Sequence, residues 1–280
     1  MTRALILWAG LISLQAAAGE VTASRVEADL SKAPLDEAVW KAAAVEPITL
    51  MGQPMITPRP AATTTARLEV QSVHDGKWIA FRFKWPAKTK AEAGRLGEYS
   101  DAVAIMFPVR DNAVPPPVFM GTTNNPVHIF HWRAQYQRDL ERGKPEMRDL
   151  YPNMNPDMYP MEFKDPEAMK GITPEAREVF SSGRAAGNPQ SFPKHGVDEI
   201  FAEGFSTSAV IENTESTASA EWKNGEWTVV IARALRRERG SVLEAGGSTW
   251  AAFAVWQGAE KEVGSRKCVT MMWTPVRLAK

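Results

Sequence analysis

Two pairs of alternating segments, each pair joined by a tight-turn signal, constrain this chain more than any other feature. Residues 66–73 (ARLEVQSV) and 78–85 (WIAFRFKW) flank Asp75-Gly76, and residues 218–222 and 227–233 flank Asn224-Gly225. Alternation puts successive side chains on opposite faces of a strand, and Asp-Gly or Asn-Gly favours the positive φ of a short hairpin loop. Further strands are expected at 101–107, 127–132, 206–212, 249–256 and 267–278. Many short strands punctuated by turns imply a mainly β fold, an antiparallel β-sandwich, rather than a parallel α/β sheet. Helical signal is confined to 31–44 and 133–142. From 143 to 193 prolines recur at 145, 152, 156, 160, 166, 174, 189 and 193 and exclude any long element. That Pro-rich insertion is expected to wrap the sandwich, meet another subunit, or form a surface loop.

The first residues, Met-Thr-Arg followed by an apolar run to Leu14 and then Gln-Ala-Ala-Ala, have the three parts of a secretory signal peptide. Residues 1–18 are assigned to it, and 19–280 to one exported domain. The apolar run falls short of the roughly 20 residues a membrane span needs, so no membrane partner is expected. Lys plus Arg and Asp plus Glu both number 33, without the basic excess of a nucleic-acid-binding face. The single cysteine, Cys268, leaves no internal disulfide and no Cys-x-x-Cys-His motif. It reads as a buried small hydrophobe on a strand. No nucleophile elbow, zinc-protease helix, phosphate loop or dinucleotide fingerprint occurs, so no catalytic residue is assigned.

Four segments carry a resemblance: DAVAIMFP at 101–108, PPVFMG at 116–121, VHIFHWRA at 127–134 and RKCVTMMW at 266–273. Together they resemble the haem b-binding γ subunits of periplasmic molybdenum enzymes, which serve ethylbenzene, dimethylsulfide, selenate and chlorate oxidoreductases. Overall likeness leans toward the dimethylsulfide member. The resemblance implies one non-covalent haem b, with Met120 and Lys267 as axial ligands from opposite sides. It also implies three partners: a molybdopterin catalytic α subunit, an iron–sulfur β subunit and a soluble periplasmic cytochrome c.

The residue chemistry leaves alternatives. A thioether favours reduced iron; Met120 precedes Gly121, which would let a porphyrin approach the backbone, while Met106 in an alternating strand is the rival sulfur. An amine ligates only when neutral, which for Lys267 requires burial; Lys261 is the fallback. His128 and His131, three apart on a strand, face opposite ways, and either is an alternative to Lys267. His74 in a turn and His195 in a Pro/Gly-rich loop are expected outside the core. Arg82 and Arg133 are candidate partners for haem propionates.

The expectation is therefore an electron-transfer subunit with a six-coordinate iron, relaying electrons between iron–sulfur clusters and cytochrome c. The alternative is a haem-free exported sandwich that binds carbohydrate or protein. Its support is the ten tryptophans, since aromatic faces stack on sugars; Trp78, Trp85, Trp222 and Trp227 beside the hairpin turns have the competing role of core packing.

Overall fold

A computed structural model describes residues 19–57, 59–60, 62–110, 115–145, 147–153, 183, 186, 196–211, 214–237 and 240–280. The signal segment, most of the Pro-rich insertion and His195 lie outside the described residues.

Both hairpins form. Strands β4 (Arg67–His74) and β5 (Trp78–Pro86) pair antiparallel. Asp75 shapes their turn, its carboxylate accepting the N–H groups of Lys77 (2.8 Å) and Trp78 (2.6 Å). Strands β10 (Thr217–Lys223) and β11 (Glu226–Ala234) pair down to Lys223 opposite Glu226. Asn224 and Gly225 both have positive φ, 54° and 79°, as a two-residue loop matched to strand twist requires.

The remaining strands are β1 (Val21–Arg25), β2 (Glu46–Thr49), β3 (Met51–Gly52), β6 (Ala102–Pro108), β7 (Val127–Arg133), β8 (Val197–Ala202), β9 (Ala209–Val210), β12 (Ser248–Trp256), β13 (Cys268–Val269) and β14 (Thr274–Leu278). Their hydrogen-bonded order is β10-β11-β5-β4-β1-β14-β12-β6-β7-β8-β9, with β2 on β4 and β13 between β12 and β3. The first half of β12 pairs with β14 and the second with β6, so this one strand belongs to both layers of the sandwich. Pairing is antiparallel except at β1, which lies parallel to both β4 and β14.

The interior is filled from both layers: Phe81, Phe83, Trp85, Trp227, Val229 and Ile231 meet Val103, Ile105, Phe107, Phe130, Trp132, Phe253 and Val255. Each such side chain contributes roughly 1.5–3 kcal/mol on burial. Trp132 packs edge-on against Trp85 and Trp227, with centroids 6.3 and 5.0 Å apart. Among the described residues no tryptophan is exposed. Trp40, Trp85, Trp132 and Trp227 are fully buried and build core.

Several expectations are corrected. The helix expected over 31–44 splits into a 3-10 turn at Leu30–Lys32 and one helical turn, α1 (Glu37–Trp40), because Pro34 intervenes. By contrast α2 (Ala134–Arg142) follows β7 as expected. The strand expected at 267–278 breaks into β13 and β14, and that at 206–212 shrinks to β9. His74 ends β4 fully buried; burial lowers its pKa and keeps it neutral.

Candidate functional site

Each layer has an outer face. That of the first layer is covered by Leu30, Ala33, Trp40 and Ala43 lying on Val73, Ala80, Val230 and Ala232. The outer face of the second layer carries instead a cavity of about 750 Å³, within the range of cofactor and ligand sites. Its floor follows from strand parity. β6 and β12 point Val103, Ile105, Phe107, Phe253 and Val255 inward, which leaves Ala102, Ala104, Ala252 and Ala254 outward. Register sets these small residues beside one another, Ala254 opposite Ala104 and Trp256 opposite Ala102. β7 adds Ile129 opposite Met106 and His131 opposite Ala104. Four methyl-sized side chains in one patch make a shallow apolar floor with room above it.

The loop at 115–121 forms one wall. Trp273 Nε1 donates to the Pro116 carbonyl (2.6 Å), and Gly204 N–H donates to the Met120 carbonyl (2.8 Å). Met120 lines the cavity in a left-handed conformation, φ 69°. That conformation costs a side-chain-bearing residue about 1–2 kcal/mol, and the flanking contacts hold it. The role expected for Gly121 is corrected. It is buried and does not line the cavity; a Cβ there would stand 2.9 Å from the Asn125 carbonyl and 3.0 Å from that of Ala202. The glycine lets the loop close on β8.

The opposite wall is the 257–267 segment. Glu262 accepts from Gln257 N–H (2.8 Å) and from the Thr64 hydroxyl (2.7 Å), and buried Cys268 lies 3.8 Å from the same carboxyl. Trp256 Nε1 donates to the Gly264 carbonyl (2.9 Å). Gly258 N–H binds the Asp101 carboxylate (2.8 Å), and a Cβ on Gly258 would collide with the Tyr99 carbonyl at 2.0 Å. Lys267, immediately before β13, points its amine over the Trp256 ring, 4.8 Å from the centroid.

Lys267 loses hydration in this setting, which lowers its pKa to about 8. Among the described residues no carboxylate pairs with it to oppose that shift. His131 also lines the cavity, tilted against Trp256 at 4.7 Å, with Nε2 buried and without a partner among the described residues. Burial drives its pKa well below the ordinary value, and the nearby charges of Arg133 and Lys267 add to the effect. Burial likewise raises the Glu262 carboxyl. The cavity thus disfavours charge and brings a thioether, an imidazole and an amine together.

Met120, Lys267, His131, Arg133 and the rival Met106 share the cavity. Lys261 sits exposed in the adjoining turn. His128 faces inward, bound to Glu199 (3.1 Å). Arg82 is a correction: it lies on the outer face of the first layer, under Trp40 (5.0 Å), paired with Glu37 (2.7 Å) and Gln71 (2.9 Å), and takes no part in the cavity. Sequence reasoning missed the alanine floor, Trp256 and Glu262. The alternation Ala-Val-Ala-Ile in β6 and Ala-Phe-Ala-Val in β12 is the signal that could have revealed the floor.

A sequence profile described as ethylbenzene dehydrogenase matches residues 37–268. A protein of Haloferax mediterranei, provisionally named a respiratory nitrate reductase heme subunit, is 24% identical over 246 residues, spanning 86% of this chain and 67% of that one. The chlorate reductase subunit gamma of Ideonella dechloratans is 26% identical over 248 residues, 86% of this chain and 77% of that one. Among solved structures, a family 9 carbohydrate-binding module from Caldicellulosiruptor kristjanssonii in complex with glucose covers 94% of this chain and 97% of its own, at 7% identity and TM-score 0.43. Likeness at that level carries no argument. Among the described residues no helix is long and apolar enough to cross a membrane.

Proposed function

This chain belongs to the ethylbenzene dehydrogenase family, and from that premise we propose that it is the haem b electron-transfer subunit of a periplasmic molybdenum enzyme. One observation carries the reading: Met120 and Lys267, from remote parts of the sequence, line the same apolar cavity. The flat alanine floor and the scarcity of charge suit a large planar, mostly apolar group. Held there by Met120 and Lys267, haem b would supply one-electron transfer.

The residues have separate tasks. Met120 offers the thioether that favours reduced iron. Lys267 offers an amine whose pKa burial lowers to about 8, so that less proton-release work opposes ligation than at an exposed lysine. Arg133, which lines the cavity along with Tyr99, Ser100 and Gln135, offers a cation to a propionate.

The named relatives, a nitrate reductase heme subunit and a chlorate reductase gamma subunit, support assembly with a molybdopterin α subunit and an iron–sulfur β subunit. A soluble periplasmic cytochrome c is the onward partner, and the signal-like first 18 residues support export. Dimethylsulfide as the substrate of the catalytic partner is a narrower proposal resting on sequence likeness alone.

The test is titration of cofactor-free protein with haemin, followed by dithionite reduction. Saturation at one haem per chain with a low-spin spectrum is expected, with Lys267→Met and Met120→Ala each altering that spectrum. A folded protein that takes up no haemin would overturn the reading.

A further inference from the structure

Trp256 lies where the cavity floor meets the lysine-bearing wall. It ends β12 opposite Ala102 and is only 7% exposed. Its indole is fixed by two contacts. Nε1 donates to the Gly264 carbonyl at 2.9 Å, which ties the ring to the same loop that carries Lys267. The His131 ring leans on it at 4.7 Å and 32°. The Lys267 amine lies over the same ring, 4.8 Å from its centroid. A lysine side chain is long and freely rotating, and no carboxylate among the described residues captures this one. The backbone of Lys267 is held separately, its carbonyl accepting from Gln53 N–H at 2.9 Å.

We propose that Trp256 is the positioning residue for the Lys267 amine, keeping it inside the cavity and aimed over the alanine floor before any cofactor arrives. The inference rests on the haem reading above. An ammonium is drawn to the indole face by cation–π attraction. The neutral amine is retained by packing of its methylene stem on the same face. In either state the nitrogen stays within the cavity rather than escaping to solvent, so less freedom is lost when it ligates. His131, whose Nε2 has no partner among the described residues, acts here through its ring as a backstop for the indole. Phenylalanine would keep an aromatic face while losing the tie to Gly264, and leucine would remove both.

The test begins with cofactor-free protein labelled with 13C-lysine. The Lys267 Cε–Hε signal, identified by its absence in Lys267→Met, is expected to be ring-current shifted upfield of the other lysines. Trp256→Phe should retain part of that shift and Trp256→Leu should abolish it, with far-UV circular dichroism reporting that both variants fold. In the haemin-loaded proteins, wild type and Trp256→Phe should be low-spin, whereas Trp256→Leu should show a high-spin fraction and an altered reduction potential. An unshifted Lys267 signal in wild type, or a Trp256→Leu protein with wild-type spectrum and potential, would overturn the positioning role. Haemin uptake by wild type is read in the same experiment; its failure would overturn the haem reading, and the ligand-positioning role with it, while leaving the ring-current result to report the contact itself.

Discussion

The two faces of the layer β12-β6-β7-β8 are built from alternate residues of the same strands and differ in almost every respect. The inner face is large, aromatic and filled, with Phe107, Phe130, Trp132 and Phe253 locked against the first layer. The outer face is built of small residues, Ala102, Ala104, Ala252 and Ala254, beneath the cavity. Two histidines of β7 show the same contrast in polar form. Inward-facing His128 is satisfied by Glu199 at Nε2 and by Ser241 N–H at Nδ1 (3.3 Å), with Arg237 completing the charge balance on Glu199 (2.9 Å). Outward-facing His131 has an Nε2 without a partner among the described residues. Stability resides on one face, and the capacity to bind resides on the other.

Substitutions can break that division. The largest loss of stability is expected inside: Phe253→Ala should cost about 3–5 kcal/mol in urea denaturation, because the rigid surroundings cannot collapse into the void. Outside, Ala104→Phe should leave stability within about 1 kcal/mol yet abolish haemin uptake in titration, since it fills the floor. If it destabilised as much as Phe253→Ala, the cavity would be core rather than site. His128→Ala should cost about 1–3 kcal/mol by leaving Glu199 and Ser241 short of a partner, while His131→Ala should be near neutral in the same assay. Met120→Ala should leave the fold intact and lower the potential of the loaded protein in redox titration; an unchanged potential would hand the sulfur role to Met106.

The smallest effect concerns acid. Burial depresses the pKa of His131 and His128, so below about 6.5 the unfolded chain binds more protons than the native one. Their contribution to stability therefore falls as pH drops through 6.5 toward the folded values. His131→Gln should flatten the loss of stability between pH 7 and pH 5 with little change at pH 7. His128→Gln should also flatten it, but from a weaker starting point. Equal curves for all three proteins would place the acid sensitivity elsewhere.

Local chemistry was legible in the sequence and long-range assembly was not. Asn224-Gly225 and Asp75-Gly76 announce their hairpins because positive φ and Asx capping are properties of a few adjacent residues. The parallel seat of β1 between β4 and β14 depends on partners far along the chain, and nothing in Val21–Arg25 encodes it. Arg82 and Arg133 look alike in sequence, each in an alternating apolar strand. Register separates them: Arg82 opposes Gln71 beneath Trp40, whereas Arg133 opposes Ala102 at the cavity. The burial that lowers the pKa of Lys267 is also collective, since it comes from a wall, a floor and Trp256 contributed by separate segments.

The most direct test of a methionine–lysine haem site on the outer face is near-infrared magnetic circular dichroism of the ferric, haem-loaded protein, whose charge-transfer band reports the axial pair. A thioether–amine signature, lost in both Met120→Ala and Lys267→Met, is the expected result. A histidine-containing pair would contradict it and point to His131, and a folded protein without any haem transition would contradict it entirely.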